Sequence, residues 1–339
     1  MMLRGLKRAK LALALVAGLA AIPVAQAQDF AGKTLRIYVG TGPGTTYDAY
    51  ARLLAERIGS YIPGNPGVIV ENMAGAGGTK VADFLANVAP KDGTALGLLH
   101  QNLPLGQVLT PDAITYNLAD FNWLGSITSA ISVIAVWHEA PATTVDEARQ
   151  VELFMGTTGR GSETYQVPTV MNNLLGTKFK VVAGYSALGE MDKAMEQGEL
   201  HGRGGSLLSW TSRHADWVDE GKVKFLVQVG LTKDKSLENV PLLVDLAENE
   251  QDREILELLS AAGTIGRPLA APPGTDAAVL AVFEKAFEET MKDEAFLKAA
   301  AAQDLSVEPE AGETIAGLVK KTVNLSEDRA KAFREAVGF

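Results

Sequence analysis

From residue 35 apolar and polar side chains alternate, Leu35-Arg36-Ile37-Tyr38-Val39, and from residue 47 the apolar spacing becomes that of a helix reaching residue 58. The same change of period recurs downstream. GVIVEN leads through MAGAGG into a helix predicted over 79–88, TALGLLH gives a third apolar run, and VELFMG is followed by GTTGRGS and a helical ETYQVPTVMNNLLG. FKVVAGY, a helical ALGEMDKAMEQG, ELHGRGG and KVKFLVQVG continue the alternation. A charged stretch, TKDKSLENVPLLVDLAENEQDRE, then separates these from a late strand, TIGRPLAAP, and from amphipathic helices over 276–291 and 295–302. Strands interleaved with helices predict α/β architecture with mainly parallel sheets, whose ligand loops lie beyond the carboxyl ends of the strands. A chain of 339 residues exceeds what one core usually fills, so two domains are expected.

The first residues change the picture of where the chain works. Arg4, Lys7, Arg8 and Lys10 precede an uncharged run, 11–24, too short to span a bilayer, and Ala25-Gln26-Ala27 supplies a small-x-small cleavage pattern. Residues 1–27 therefore read as a signal peptide. They hold four basic and no acidic side chains, so their removal moves the formal charge from −10 to −14. Such a surface disfavours nucleic acid as a partner. With no cysteine there is no disulfide framework and no acylation site, so a soluble, unanchored periplasmic protein is expected.

The glycine loops carry the candidate chemistry. Gly40, Gly42 and Gly44 lack the lysine of a nucleotide triphosphate loop, and Thr45 stands where a dinucleotide fingerprint needs its third glycine. What remains is a helix N-terminus that, with Thr45 and Thr46, forms an uncharged anion site suited to a carboxylate. A tight, capped strand-to-helix turn is the plainer reading of one such loop, with Asp48 and Arg52 as an ion pair one helical turn apart. The second loop, Gly75, Ala76, Gly77 and Gly78, lets two backbones approach one ligand. Gln101 and Asn102, Gly161 and Ser162, and Tyr185 at the end of KVVAGY are further ligand candidates, with Thr164 opening its helix as Thr46 opens the first. Tyr47, Trp137 and Trp210 either flank the ligand or pack. His100, His138, His201 and His214 show no metal-ligand spacing, GRGSE is not a nucleophile elbow, and no catalytic residue, metal or cofactor is called for.

Residues 33–99 resemble the opening of the substrate-binding proteins of tripartite tricarboxylate transporters, the Bug family. The resemblance rests on Gly44, Asp48, Ala51, Arg52, Glu71, Asn72, Gly75 to Gly78, Asp92 and Gly93, and continues in order through GTTGRGS, GYSALGEMDKAMEQGEL, GKVKFL, NVPLL and APPGT. It implies a type II periplasmic binding protein, two α/β lobes joined by crossing strands, monomeric, that closes over a small organic carboxylate and hands it to a membrane permease. Lobe one is expected over 28–130 and 252–339, lobe two over 131–251. A ligand-sensing subunit for a membrane kinase is the alternative.

Three places depart from the family pattern. Thr45 and Met73-Ala74 replace a glycine and an Arg-Pro pair, and Gly205 stands where the family often has Asp. Arg203 lies two residues before Gly205, so both face one side of their strand, exchanging a negative pocket wall for a positive one. The expectation is that Arg203, and less firmly Arg160, pairs with a ligand carboxylate. The competing expectation for both is a surface or interlobe salt bridge.

Overall fold

The computed structural model describes residues 29–339; the expected signal peptide lies outside the described residues. The eleven described strands are β1 (Thr34–Val39), β2 (Gly67–Asn72), β3 (Ala95–Leu98), β4 (Asn122–Ser126), β5 (Ser132–Trp137), β6 (Leu153–Gly156), β7 (Phe179–Val182), β8 (Gly202–Ser206), β9 (Val223–Val229), β10 (Pro268–Ala271) and β11 (Glu310–Ala311). They form one sheet of order β11-β4-β10-β3-β1-β2 and another of order β7-β6-β8-β5-β9. Each sheet centres a lobe.

The sheets are mixed, not mainly parallel as the alternation suggested. β1 pairs parallel with β2 and β3, and β6 with β7 and β8, where helices make the return journey. β10 runs antiparallel to β3 and β4, and β5 antiparallel to β8 and β9. The antiparallel partners are those beside the crossings between lobes, where a strand arriving from the other sheet enters from the opposite end.

Local sequence accounts for the helices. Thr45 caps the helix Thr46–Ile58, whose Tyr50, Ala51, Leu54 and Ile58 are buried against β1 and the helix Ala277–Lys292. Phe283 of that second helix stacks near Phe30 at 5.3 Å and is fully buried; its truncation to Ala costs about 3 to 5 kcal/mol. Charge concealed one element from the sequence. The helix Glu250–Ile265 begins inside the polar stretch, with Asn249 accepting from the Asp252 N–H at 2.9 Å. Its Ile255, Leu256, Leu259 and Ala262 join Leu226 and Val229 of β9 in one apolar cluster, so position 252 falls within a helix packed on the second sheet.

Two crossings lie side by side. The chain passes from Ser126 to Ser132 between sheets, and the segment 263–267 returns beside it, through Ala130 N–H to Gly263 O at 2.7 Å and Arg267 N–H to Thr128 O at 3.1 Å. Gly266 has φ +59, and a Cβ there would collide with the Thr128 carbonyl, so the return is possible only without a side chain.

Candidate functional site

A cavity of about 300 Å³ opens between the lobes beside these crossings. Tyr50 and Arg267 line it from the first lobe, Thr128 to Ile131 from the crossing, and Ser206, Leu207 and Thr211 from the second lobe. Asp234, Asp304 and Glu308 also line it. An adjoining hollow of about 190 Å³ shares Leu208 and Asp304 with it and is lined by Gly44, Thr45 and Thr46. The first glycine loop therefore reaches the space between the lobes.

Arg267 is the cationic side chain of the lining, and it is 7 % exposed. Nη1 donates to Gln101 Oε1 at 2.6 Å and to the Tyr47 hydroxyl at 3.2 Å, and the guanidinium lies 4.2 Å from the centre of the Tyr47 ring. The Gln101 N–H donates to the same hydroxyl at 3.0 Å, and Tyr47 stacks on His100 with ring centres 5.0 Å apart. Every side-chain hydrogen bond that Arg267 donates among the described residues leaves from Nη1. Nε is buried without a partner, and Nη2 has no acceptor among the described residues. Nε and Nη2 form the edge of a guanidinium that matches a carboxylate with two parallel hydrogen bonds.

Burial and the arginine act together on neighbouring ionisable groups. Burial, then the Arg267 charge, lowers His100 to about 4, so its ring stays neutral, with Nδ1 accepting from the Asn102 N–H at 3.2 Å. Burial raises the Tyr47 hydroxyl despite Arg267. Glu163, first residue of the helix Glu163–Leu175, is also pushed up by burial, against the hydrogen bond from Ser132 at 2.7 Å and the attraction of Arg267 and Arg203. Glu163 shares a small cleft with Gln101, Asn102 and Gln166, and both arginines favour its charged form.

The sequence-derived candidates separate into groups. Gly44, Thr45 and Thr46 line the hollow, but the Gly44 N–H donates to Asp48 Oδ2 at 2.8 Å, so the protein's own carboxylate fills part of the anion site expected at that helix end. Asp48 is held charged: burial opposes its ionisation, and hydrogen bonds from Arg52, the Gly44 N–H and Asn72 outweigh that penalty. The Asp48–Arg52 pair is present at 2.9 Å. The two glycine loops do approach, since a Cβ on Gly40 would come within 2.8 Å of Gly78 Cα. Gly78 is buried there, whereas Gly75, Ala76 and Gly77 turn outward with positive φ. In the second lobe Ser162 joins Thr157 and Thr164 in a hydroxyl cluster beside Gly161, and Tyr185 packs on the apolar cluster around Met191 and Trp210.

Arg203 takes neither of the roles expected of it, being paired with a carboxylate in the interior of its own lobe. It is fully buried, its Nε donates to Asp192 Oδ1 at 2.5 Å, and its guanidinium lies 3.8 Å from the Trp210 ring centre. Asp192 is shared with His214 Nε2 at 2.8 Å. A Cβ on Gly205 would meet Arg203 Nη1 at 2.7 Å, so the two positions do share a face, but that face looks into the helices of lobe two. Arg160 also turns away: it donates to the Gly338 carbonyl and lies over the rings of Tyr165 and Phe339. Sequence reasoning missed Arg267, whose one signal was a cation beside a glycine inside an apolar strand candidate.

The family model for the tripartite tricarboxylate transporter family receptor, TctC, matches residues 51–333. The chain belongs to that family. TctC proteins are receptors, not enzymes. A UPF0065 protein of Cupriavidus necator is 26% identical over 282 residues, 81% of this chain and 80% of that protein. One of Bordetella bronchiseptica is 27% identical over 166 residues, so the match spans about half of each, 48% of this chain and 49% of the relative. Among solved structures, a TctC solute-binding protein from Polaromonas superposes with a TM-score of 0.68 at 18% identity, over 90% of this chain and 97% of that one. R. palustris Rpa4515 with adipate gives 0.64 at 17% identity, over 91% and 99%. MatC from Rhodopseudomonas palustris with bound malate gives 0.60 at 20% identity, over 90% and 98%. At these identities the likeness concerns the TctC fold.

Proposed function

We propose that this protein is a periplasmic solute-binding receptor that captures a small carboxylate between its lobes and delivers it to a tripartite tricarboxylate-type permease. The observation that carries this reading is Arg267, the cationic side chain in the lining of the interlobe cavity, whose buried Nε has no partner among the described residues. Nη1 is already fixed by Tyr47 and Gln101, so a ligand carboxylate meets an oriented fork and little ordering entropy is lost on binding. Neighbours that carry malate and adipate support the ligand class. In this reading Thr45 and Thr46, which line the adjoining hollow, approach the ligand from lobe one, and Ser206 and Thr211, which line the cavity, approach it from lobe two. The lobes are taken as 28–130 with 252–339, and 131–251, save that the helix Glu250–Ile265 packs on the second sheet and so carries that boundary into lobe two. Closure about the paired crossings then strengthens these hydrogen bonds by excluding water. Among the described residues no helix is long and apolar enough to cross a membrane, and the cleavable leader expected over 1–27 supports export.

A thermal-shift panel of citrate, dicarboxylates, aromatic carboxylates, amino acids and phosphorylated metabolites tests the reading. A ligand at about a hundred times its Kd adds roughly 2.7 kcal/mol, an easily visible shift. Stabilisation by carboxylates is expected; a response confined to phosphorylated compounds contradicts it.

A further inference from the structure

The cavity lining is lopsided in charge. Arg267 stands against three carboxylates, Asp234, Asp304 and Glu308. Asp304 is exposed and sits where the cavity meets the adjoining hollow. Asp234 spends one oxygen on the Ser236 N–H and hydroxyl, at 2.8 and 2.6 Å, which leaves its other oxygen free of those bonds. Glu308 has a distant, exposed partner in Lys235 at 4.0 Å, an ion pair between the lobes that water largely screens. The remainder of the lining is neutral: hydroxyls, the backbone of the crossing and the side chains of Leu207 and Leu208.

A carboxylate meets one cationic side chain in the lining of this cavity, Arg267. A second carboxylate on the same ligand would be carried toward the acidic wall, where closure removes the water that screens like charges. A cationic nitrogen at that end meets the opposite field. Resting on the carboxylate reading above, we propose that the ligand is a zwitterion with its charges at opposite ends. Its carboxylate lies on Arg267, its cationic nitrogen lies at Asp304, Asp234 and Glu308, and diacids of equal length are discriminated against.

Calorimetric titration of matched pairs tests this: 4-aminobutyrate to 8-aminooctanoate against succinate to suberate. The expected result is that an amino acid of the series binds at least about tenfold more tightly than the diacid of the same length, with a gap that shrinks in high salt. The double variant Asp304→Asn, Glu308→Gln is expected to narrow that gap about threefold to tenfold. Diacids binding as tightly as the amino acids would overturn the inference while leaving the carboxylate reading standing. An unchanged gap in the double variant would overturn the assignment of the acidic wall. No binding by either series, nor by any carboxylate of the wider panel, would overturn both readings.

Discussion

Arg203 on β8 and Arg267 beside β10 are both buried and both lie over an aromatic ring, yet they are satisfied in opposite ways. Arg203 has a carboxylate of its own, Asp192, fixed in turn by His214, so its charge is neutralised inside lobe two. Arg267 is held by neutral partners, Gln101, Tyr47 and the Gly266 carbonyl; both arginines leave a buried nitrogen unpaired, Nη2 of Arg203 and Nε of Arg267, but only Arg267 has no carboxylate bonded to it. A buried arginine is available to a ligand when its orientation is fixed but its charge is not compensated. Neutral acceptors supply the first condition without removing the second.

The largest expected effect breaks the Arg203 side of the comparison. Asp192→Ala strands a fully buried guanidinium and is expected to cost about 3 to 5 kcal/mol in urea unfolding. A loss below about 1 kcal/mol would mean that Arg203 is less dependent on its counter-ion than its burial implies. On the Arg267 side, His100 supplies a pH signature. Its ring titrates near 6.5 when unfolded and about 4 when folded, so between these values the unfolded chain binds more protons. Stability present above about pH 6.5 is therefore lost as pH falls toward 4, by up to about 3 kcal/mol. His100→Phe, which can keep the stacking on Tyr47, is expected to flatten that part of the stability curve; an unchanged slope assigns it to other groups. The smallest effect is expected at Arg160, which is exposed. Arg160→Ala should shift stability by less than about 1 kcal/mol and leave ligand affinity unchanged. A tenfold loss of affinity there would return Arg160 to the list of ligand contacts.

Much of the fold was legible because period and turn chemistry agree. The helix expected over 47–58 is Thr46–Ile58, that over 79–88 is Thr79–Asn87, and that over 276–291 is Ala277–Lys292. The missing pieces are those whose signal is split. The helix Glu250–Ile265 opens with six residues of which four are charged, and its apolar stripe begins only at Ile255. β4 and β5 were not separated from their surroundings because they flank a crossing with no strong turn signal in SITSAIS. The site was less legible than the fold. Glycine loops announce themselves by composition, and the first of them does reach the interlobe space. An arginine's availability depends instead on partners distant in the chain. Asp192 lies 11 residues from Arg203, while Tyr47 and Gln101 lie 220 and 166 residues from Arg267. Alternation along β8 placed Arg203 and Gly205 on one face correctly; it could not say that helices of lobe two cover that face.

The most direct test is calorimetric titration of the tightest-binding carboxylate into the wild-type protein, Arg267→Gln and Arg203→Lys. If the free edge of Arg267 seats the carboxylate, Arg267→Gln weakens binding about tenfold to a hundredfold, the loss of one charge-assisted pair, while Arg203→Lys leaves affinity within about threefold. Unchanged affinity in Arg267→Gln, with a large loss in Arg203→Lys at undiminished stability, would contradict this assignment and place the ligand in lobe two.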